Sequence, residues 1–277
     1  MGQHAKLAVL GAGNIGAAIA RGLARTGTHR AADLLLTRSN PESLRELGAE
    51  GFGVAESNTA AVRGADTLLI AVQPQQLDEL LDEIRPALDP GRHSIISVVS
   101  GASIAAIRAR THPTLRVVRA MPNVAIAVGR SMTCLAADDR RDPSLERARE
   151  IFATVGTTLV IDEDQIVPAT ALCACGIAFF LRAVRAASQG GIEIGFHPEE
   201  ALAMASQVAL GAATLMLELG RHPEREIDTV TTPRGCTISG LNELEHRGFS
   251  SAMIKGILIS AKKAGQLYSQ ERSSPES

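Results

Sequence analysis

The feature that most constrains this chain is a glycine-rich loop near its N-terminus, Gly11-Ala12-Gly13-Asn14-Ile15-Gly16. A four-residue apolar run, Leu7–Leu10, precedes the loop, and an alanine-rich helical pattern over residues 15–25 follows it. In a strand–loop–helix unit the first glycine permits a tight turn, the second lets the backbone approach a pyrophosphate, and the third lets helix and strand pack closely. The alternative is a plain glycine-rich turn. In this context the loop predicts a dinucleotide-binding domain whose cofactor contacts all six residues.

Short apolar runs alternate with helical patterns over the first 160 residues. Strands that are apolar on both faces and separated by helices are typical of a parallel sheet covered on both sides. The later predicted strands are residues 33–37, 67–72, 93–99, 115–119, 131–136 and 157–161. Asn40, Pro41 and Glu42 are typical of the cap, first position and acidic first turn of a helix. The fold class predicted is α/β, with a doubly wound parallel sheet of the Rossmann type.

After residue 161 the pattern changes to long helices, predicted at about 165–189, 198–219, 237–246 and 250–270. We therefore expect a dinucleotide-binding domain of residues 1–162 and an all-helical domain of residues 163–277. The polar residues 270–277 are expected to fray. Two uncharged stretches, 165–181 and 201–217, reach only the lower limit of a membrane span. Their content of Ala, Ser, Thr, Gln and Cys favours buried helices of a soluble protein.

Composition excludes several functional classes. The chain has 277 residues, of which 45% are hydrophobic and 21% charged, so it is not a disordered protein. A formal net charge of -2 and 3% aromatic residues do not suit nucleic-acid binding. The four cysteines form neither a disulfide framework nor CxxC pairs, and the seven histidines show no HExxH pattern. We expect a cytoplasmic protein without a signal peptide, a metal site, or a nucleic-acid or membrane partner.

The end of the second strand indicates which dinucleotide binds. A site that prefers NAD places a carboxylate there, about 20 residues after the glycines, to bind the ribose 2′-hydroxyl. Here the residues are Thr37, Arg38 and Ser39, and a guanidinium between hydroxyl donors suits a 2′-phosphate. The alternative for Arg38 is a solvated surface arginine. The sequence predicts NADPH, with NADH as a weaker cofactor. Further residues of the cofactor wall are expected to be Ser57, Asn58, Ala71, Val72, Gln73 and Pro74.

Three other sequence blocks carry a family resemblance. They are Arg119-Ala120-Met121-Pro122-Asn123 with Val128-Gly129, then TALCACGIAF at residues 170–179, and VTTPRGCTISGL at residues 230–241. In this order they resemble the MPN…VG, TA-x-SGSGPA and VTSPGGTTIAGL blocks of the pyrroline-5-carboxylate reductase family. AVQPQ at residues 71–75 is similar to the family's AVKPQ. The resemblance covers nearly the whole chain, and the third block is its most specific part.

The resemblance implies an NADP-dependent oxidoreductase that acts on a small-molecule imine. Such an enzyme transfers a hydride to the ring C=N carbon of 1-pyrroline-5-carboxylate and forms proline, the last step of proline biosynthesis. Thr237 matches the family's active-site threonine and is expected to hydrogen-bond the imine nitrogen or relay its proton; the alternative is a helix N-cap. The backbone at Gly235 to Thr237 is expected to bind the substrate carboxylate. The full set of expected substrate-binding residues is Met121, Asn123, Cys173, Cys175, Gly176, Arg234, Gly235, Cys236 and Thr237.

Several positions depart from the family pattern. Cys173, Cys175 and Cys236 replace hydroxyl side chains, and a thiol is larger and a weaker hydrogen-bond donor. Arg234 replaces a glycine and is expected to be either an added cation for the substrate or an exposed loop arginine. The departures keep two alternatives open: a reductase of a related cyclic imine such as piperideine carboxylate, or a non-catalytic NADP-binding regulatory protein. A metal or redox cluster of the three cysteines is a further alternative.

The resemblance also implies how the chain assembles. Family members dimerise through the C-terminal helices, with the active site at the domain junction. The apolar stretches 165–181 and 201–217 need cover on several sides, which a helical domain of this length offers poorly by itself. We therefore expect a homodimer or a larger homo-oligomer.

Overall fold

The computed structural model describes the backbone of residues 7–271 and the side chains of residues 7–266. The chain divides into two compact units. The first contains the residues up to Cys175 together with those from Ser260 onward, and the second contains Gly176–Ile259. The domain boundary proposed from the sequence, after residue 162, follows the last strand and lies inside the first unit.

An eight-stranded sheet forms the centre of the first unit. Its strands are β1 (Leu7–Leu10), β2 (Leu34–Thr37), β3 (Gly53–Val54), β4 (Thr67–Ile70), β5 (Ser94–Ser97), β6 (Arg116–Met121), β7 (Ser131–Ala136) and β8 (Gly156–Val160). The strand order is β3-β2-β1-β4-β5-β6-β7-β8. Because β1 pairs in parallel with both β2 and β4, the strand order reverses beside β1. Open α/β sheets bind their ligands at such a switch point.

The sheet differs from the prediction at one end, where it is not parallel. β6 and β7 are antiparallel, with Met121 opposite Cys134, while β7 and β8 are parallel to each other. The connection from β6 to β7 holds only a short 3₁₀ turn, Val124–Val128, and is too short for a crossover helix. Gly129, with φ of 69°, ends this turn in a left-handed conformation. The Val128-Gly129 motif is therefore a hairpin turn. The two-residue β3 was also missed.

Helices cover both faces of the sheet. They are α1 (Asn14–Arg25), α2 (Pro41–Ala49), α3 (Asn58–Arg63), α4 (Pro74–Ile84), α5 (Ile104–Arg110), α6 (Pro143–Ala153) and α7 (Ile166–Ala169). One apolar core includes Leu23 and Phe152, and the core on the other face includes Leu81 and Ile107. The prediction for the start of α2 is confirmed, since the Asn40 side chain accepts hydrogen bonds from the amides of Glu42 and Ser43.

The long helix predicted at 165–189 is three segments. After α7 comes a π-helical segment, Thr170–Cys175, and then α8 (Gly176–Glu193). The second unit also holds α9 (Pro198–Leu219), α10 (Pro223–Val230), which was not predicted, and α11 (Cys236–His246). α12 (Phe249–Glu271) contributes residues to both units. Of the tail expected to fray, residues 270–271 belong to α12 and residues 272–277 lie outside the described residues.

The apolar stretches of the helical unit are not buried within one chain, contrary to expectation. Ala201 is the single buried residue of α9, whereas Val208 is 71% and Leu217 85% exposed. α8 and α9 pack on each other, and two helices cover only one side of each other. By length and composition alone, Glu163–Glu193 and Pro198–Leu219 are apolar enough to cross a membrane.

Candidate active site

A cleft of about 880 Å³ lies at the carboxyl ends of β1, β2, β4 and β5. It holds most of the residues predicted to bind the cofactor: Gly11, Gly13, Asn14, Ile15, Thr37, Arg38, Ser39, Ser57, Asn58, Ala71, Val72, Gln73 and Pro74. Ala12 and Gly16 do not line it. Ala12 is fully buried, and its amide donates to the Thr37 carbonyl at 2.7 Å. The sequence motifs at the ends of separate strands are thus brought together in one place.

The three loop glycines meet different surroundings. Gly11 has φ of +92°, and a Cβ there would lie 2.6 Å from Val72 Cγ1. A Cβ on Gly16 would lie 2.4 Å from the Gly11 carbonyl oxygen, so this glycine permits the start of α1 to pack on the loop. A Cβ on Gly13 would meet nothing within 4 Å, because this residue borders the open cleft. At Gly13 no side chain blocks the approach of a phosphate to the N-terminus of α1, so the loop fits a pyrophosphate.

A chain of hydrogen bonds fixes the polar wall of the cleft. The Thr37 hydroxyl donates to Asn58 Oδ1 at 2.6 Å, and Asn58 Nδ2 donates to Glu83 Oε2 at 2.7 Å. The Gly11 amide donates to the same Thr37 hydroxyl at 3.4 Å. Thr37 thus connects the glycine loop to α3, and Glu83 extends the connection to α4.

Arg38 is half-buried and lies over the glycine loop, where its Nη1 donates to the Ala12 carbonyl at 3.2 Å. This position differs from that of a fully solvated surface arginine. None of the carboxylates in the described part of the chain forms an ion pair with Arg38, although Glu56, Glu79 and Glu83 also line the cleft. The guanidinium therefore has donors and charge to offer an anion in the cleft.

The sequence patterns did not indicate part of the lining. These residues are Leu44, Ala55, Glu56, Gln76, Glu79, Leu80, Glu83, Val98, Val99 and Ser100. Residues 98–100 follow β5 as residues 71–74 follow β4, so the rule that found the second group could have found the first. Gln76, Leu80 and Glu83 recur at helical spacing on α4. Their orientation toward the cleft could not be deduced before the position of α4 was known.

Asn123 connects three parts of the first unit. Its Oδ1 accepts from the Ala125 amide at 3.1 Å, and its backbone amide donates to Ser131 Oγ at 3.1 Å. Its Nδ2 donates to the Cys173 carbonyl at 3.2 Å. Met121 is 4% exposed and packs in an apolar cluster with Cys134. The MPN block thus supports the π-helical segment that carries Cys173 and Cys175, while Gly176 is the buried first residue of α8.

Cys173 lies beside a cysteine that the sequence patterns did not single out. Cys134 Sγ on β7 lies 4.0 Å from Cys173 Sγ. The contact between the two sulfur atoms lowers the pKa of Cys173 and raises that of Cys134. Cys175 is half-buried and Cys236 exposed. Within residues 7–271 no group of three or more His, Cys, Asp or Glu side chains is arranged to hold a metal ion.

The loop before α11 carries the other expected substrate residues. Gly235 is the N-cap, and Thr237 is the second residue of the helix, so the N-cap alternative for Thr237 is wrong. Arg234 and Thr237 are exposed, and across residues 7–266 the Thr237 hydroxyl has no hydrogen-bond partner. Arg234 has φ of 61°, the left-handed region that favours glycine. A Cβ on Gly235 would lie 2.4 Å from Thr232 Oγ1, so the turn requires glycine there.

Comparison with known proteins places the chain in a family. Residues 163–267 match the family model described as pyrroline-5-carboxylate reductase dimerisation, and residues 6–101 match NADP oxidoreductase coenzyme F420-dependent. The chain is 43% identical to pyrroline-5-carboxylate reductase 2 of Dictyostelium discoideum, with 95% of the chain and 93% of that protein covered. This chain belongs to the pyrroline-5-carboxylate reductase family. The resemblance of the sequence blocks is thereby confirmed.

Other relatives agree with this assignment. Pyrroline-5-carboxylate reductase 1 of Dictyostelium discoideum is 52% identical over 96% of the chain, although the chain spans about half the length of that relative. The structure of a pyrroline-5-carboxylate reductase from Coxiella burnetii superposes with a TM-score of 0.87 at 26% identity, covering 96% of this chain and 99% of that one. The Plasmodium falciparum enzyme, solved with NADP bound, has a TM-score of 0.85 at 21% identity, covering 96% and 98%. The predicted fold class is confirmed, as a predominantly parallel sheet followed by helices.

Proposed function

We propose that this chain reduces the ring C=N bond of 1-pyrroline-5-carboxylate with NADPH and forms proline. The observation that carries the proposal is the cleft at the strand ends, in which the glycine loop, Thr37, Arg38 and Asn58 converge, in a chain of this family. Relatives that match over nearly their whole length are named pyrroline-5-carboxylate reductases. Bound in the cleft, NADPH would supply the hydride for the reaction.

Arg38 and the glycine loop support NADPH rather than NADH as the cofactor. No carboxylate follows β2 at the position where an NAD site binds the ribose hydroxyl, and the half-buried guanidinium of Arg38 lies there instead. The Plasmodium falciparum relative was solved with NADP. Gly13 leaves room for the pyrophosphate, and the amides at the start of α1 can donate to it.

Thr237 and the start of α11 support the proposed treatment of the substrate. The unpartnered Thr237 hydroxyl can hydrogen-bond the imine nitrogen or relay a proton to it, as the family resemblance implies. The amides of the first turn of α11, with their partial positive charge, suit a carboxylate. Exposed Arg234 adds a cation beside these amides. A protonated imine is already electrophilic, so the protein needs no strong acid of its own.

The helical unit supports a homodimer, with residues 163–277 as the proposed substrate and dimerisation domain. Residues 163–267 match a family model whose description is dimerisation, and large apolar side chains of α8 and α9 are exposed in the single chain. A second copy of the chain would cover them. All four cysteines are free thiols, as is usual in a reducing compartment, which supports the cytoplasm as the location.

The deciding assay follows absorbance of NADPH and of NADH with the purified protein and pyrroline-5-carboxylate. Rapid loss of NADPH supports the proposal. The same assay with piperideine carboxylate tests the alternative that the departures from the family pattern keep open, a related cyclic imine as the substrate. Binding of NADPH without turnover on either imine would contradict the proposal and indicate a non-catalytic nucleotide-binding protein.

Arg38→Ala tests the cofactor assignment. It removes a charge that pairs with the 2′-phosphate, and one charge-assisted contact contributes about 1.5–3 kcal/mol, so the Kd for NADPH should rise about tenfold or more. The Kd for NADH should change little. Calorimetric titration with both cofactors measures the difference, and an equal loss for both would show that Arg38 does not contact the 2′-phosphate.

Thr237→Ala tests the proposed role of the Thr237 hydroxyl in the reaction. We expect turnover to fall by about 10²-fold or more with little change in NADPH affinity, because the hydroxyl would act on the reacting imine. Thr237→Ser keeps a hydroxyl and should retain most of the activity. Unchanged turnover in Thr237→Ala would remove this side chain from the mechanism.

A further inference from the structure

Two thiols meet in an apolar pocket between the sheet and the π-helical segment. Cys134 lies on β7 and is 3% exposed, and Cys173 lies on the π-helical segment and is half-buried. Their sulfur atoms are 4.0 Å apart. Both contact the cluster of Met121, Ala136, Ile166 and Ala169, so the surroundings of the sulfurs are apolar.

The two cysteines belong to elements that differ in how easily they can shift. Cys134 belongs to a strand that is paired on both sides, with β6 and with β8. Cys173 belongs to a single turn of π-helix, which is rare and marginally stable compared with the α-helix on either side. A disulfide needs the sulfurs about 2 Å apart, so closure requires a shift that the π-helical segment can make more easily than β7.

We propose that Cys134 and Cys173 are a redox-active dithiol that closes to a disulfide in exchange with a small-molecule disulfide such as oxidised glutathione. The Cys173 thiolate attacks one sulfur of the small disulfide and releases one small thiol. Cys134 then attacks the Cys173 sulfur of the mixed disulfide, and its proton passes to the departing thiolate, which leaves as the second small thiol. Two protein thiols become one protein disulfide, and one small disulfide is reduced to two thiols.

The two thiols differ in a way that suits this order of attack. The contact with the Cys134 sulfur at 4.0 Å lowers the pKa of Cys173, which favours the thiolate of Cys173. A thiol with a pKa near the ambient pH is the most effective attacking group. Cys173 is also the more accessible of the two. The buried Cys134 is therefore the resolving thiol.

Closure of the disulfide would act on the proposed substrate site. The Cys173 carbonyl accepts a hydrogen bond from Asn123, and Cys175 and Gly176 follow in the chain. A shift of Cys173 toward β7 moves this segment, whereas the glycine loop and Arg38 follow β1 and β2 and stay in place. This effect rests on the proposed function: oxidation should lower imine turnover and leave NADPH affinity unchanged.

The formation of the bond is tested without any assay of activity. The purified full chain is incubated with oxidised glutathione and digested without reductant, and we expect a crosslink between residues 134 and 173 that dithiothreitol removes. Residues 173 and 175 lie on one tryptic peptide, so mapping on the Cys175→Ser variant assigns the partner. Cys134→Ser and Cys173→Ser should each abolish the crosslink, and Cys236→Ser should retain it. A stable mixed disulfide of Cys173 with glutathione and no crosslink would overturn the proposal.

The functional effect is measured on the crosslinked protein after removal of glutathione. We expect imine turnover to fall about tenfold or more and to recover with dithiothreitol, since a displacement of about 1 Å in a positioned site is enough for such a loss. The Kd for NADPH should stay within twofold. A crosslinked protein with full turnover would overturn the regulatory part. Absence of turnover in the reduced protein would instead contradict the proposed function. The crosslink experiment would still show whether Cys134 and Cys173 form a disulfide.

Discussion

At the scale of single residues, the glycines at positions 13 and 16 meet opposite surroundings. Gly13 borders the open cleft, where an added Cβ meets nothing within 4 Å. Gly16 is buried, and an added Cβ would lie 2.4 Å from a backbone oxygen that cannot move without distorting the loop. The same substitution at the two positions therefore separates binding from folding.

We expect Gly13→Ala to leave the free energy of unfolding within about 1 kcal/mol of the wild type, since only the N-cap of α1 changes. Its methyl group enters the cleft and should raise the Kd for NADPH about tenfold. Gly16→Ala should lower the free energy of unfolding by about 2 kcal/mol or more through overpacking. Denaturant unfolding and calorimetric titration of both variants measure this. A Gly16→Ala protein as stable as the wild type would contradict the packing role.

Sequence patterns predicted most of the residues that line the cleft, because strand ends and glycine spacing are local features. They placed Thr37, Arg38 and Asn58 at the cleft without knowledge of the fold. They could not predict the contact between Cys134 and Cys173, which are brought together only by the pairing of β6 with β7 and the packing of the π-helical segment. Glu83 was missed for the same reason, since its contact with Asn58 depends on how α4 packs against α3.

At the scale of elements, the His93 side chain connects the residue just before β5 to Asp89 and Val62 through two hydrogen bonds. The side chain is buried, its Nδ1 accepts from the Asp89 amide at 2.8 Å, and its Nε2 donates to the Val62 carbonyl at 3.1 Å. This arrangement needs the neutral imidazole. Burial, and then the charge of Arg92, lower the pKa of His93. His93 therefore binds a proton less readily in the folded state than in the unfolded state.

A histidine whose pKa is lowered by folding contributes stability that is complete above the unfolded pKa, about 6.5, and is lost as the pH falls below it. We expect the free energy of unfolding to decline from about pH 6.5 downward, and His93→Gln to be less stable at pH 7.5 but less dependent on pH. His112→Gln, at an exposed position, is the matched control. Equal pH dependence of the wild type and His93→Gln in urea unfolding would contradict this role.

Element boundaries show what could be predicted along the chain. Seven of the eight strands follow from apolar runs, because a buried parallel strand needs them. The antiparallel direction of β7 could not be predicted from its apolar run, since it is set by the short turn at Val124–Val128. The π-helical segment could not be predicted either, because an added residue in a helix leaves the apolar pattern on either side intact.

At the scale of the whole molecule, the single chain leaves an apolar groove of about 420 Å³ between α8 and α9. Phe180, Val208 and Met204 line it, and the first two are more than half exposed. Apolar patterning predicts that such side chains are covered, but it does not tell whether the same chain or a second copy covers them. This is why helices expected to be buried are exposed here.

We expect the protein to be at least a dimer at micromolar concentration, and Val208→Glu to be a monomer, because a carboxylate buried in an apolar interface without a partner is strongly unfavourable. Light scattering coupled to size exclusion measures both. Leu159→Glu, at an exposed site on β8 in the other unit, is the matched control and should remain associated. A monomeric wild-type protein, or a dimeric Val208→Glu variant, would contradict assembly through this groove.

The order of the strands has a consequence for the growing chain on the ribosome. From β4 onward each new strand is added beside the one made before it, so β5, β6, β7 and β8 extend the same edge in turn. β2 and β3 extend the other edge in the same manner, and β1 is the first strand of both. No strand is inserted between two strands that were translated before it, so the sheet can be assembled in the direction of synthesis. Large apolar side chains of α8 and α9 remain exposed when the sheet is complete, and the proposed homodimer would cover them only after two chains have been made.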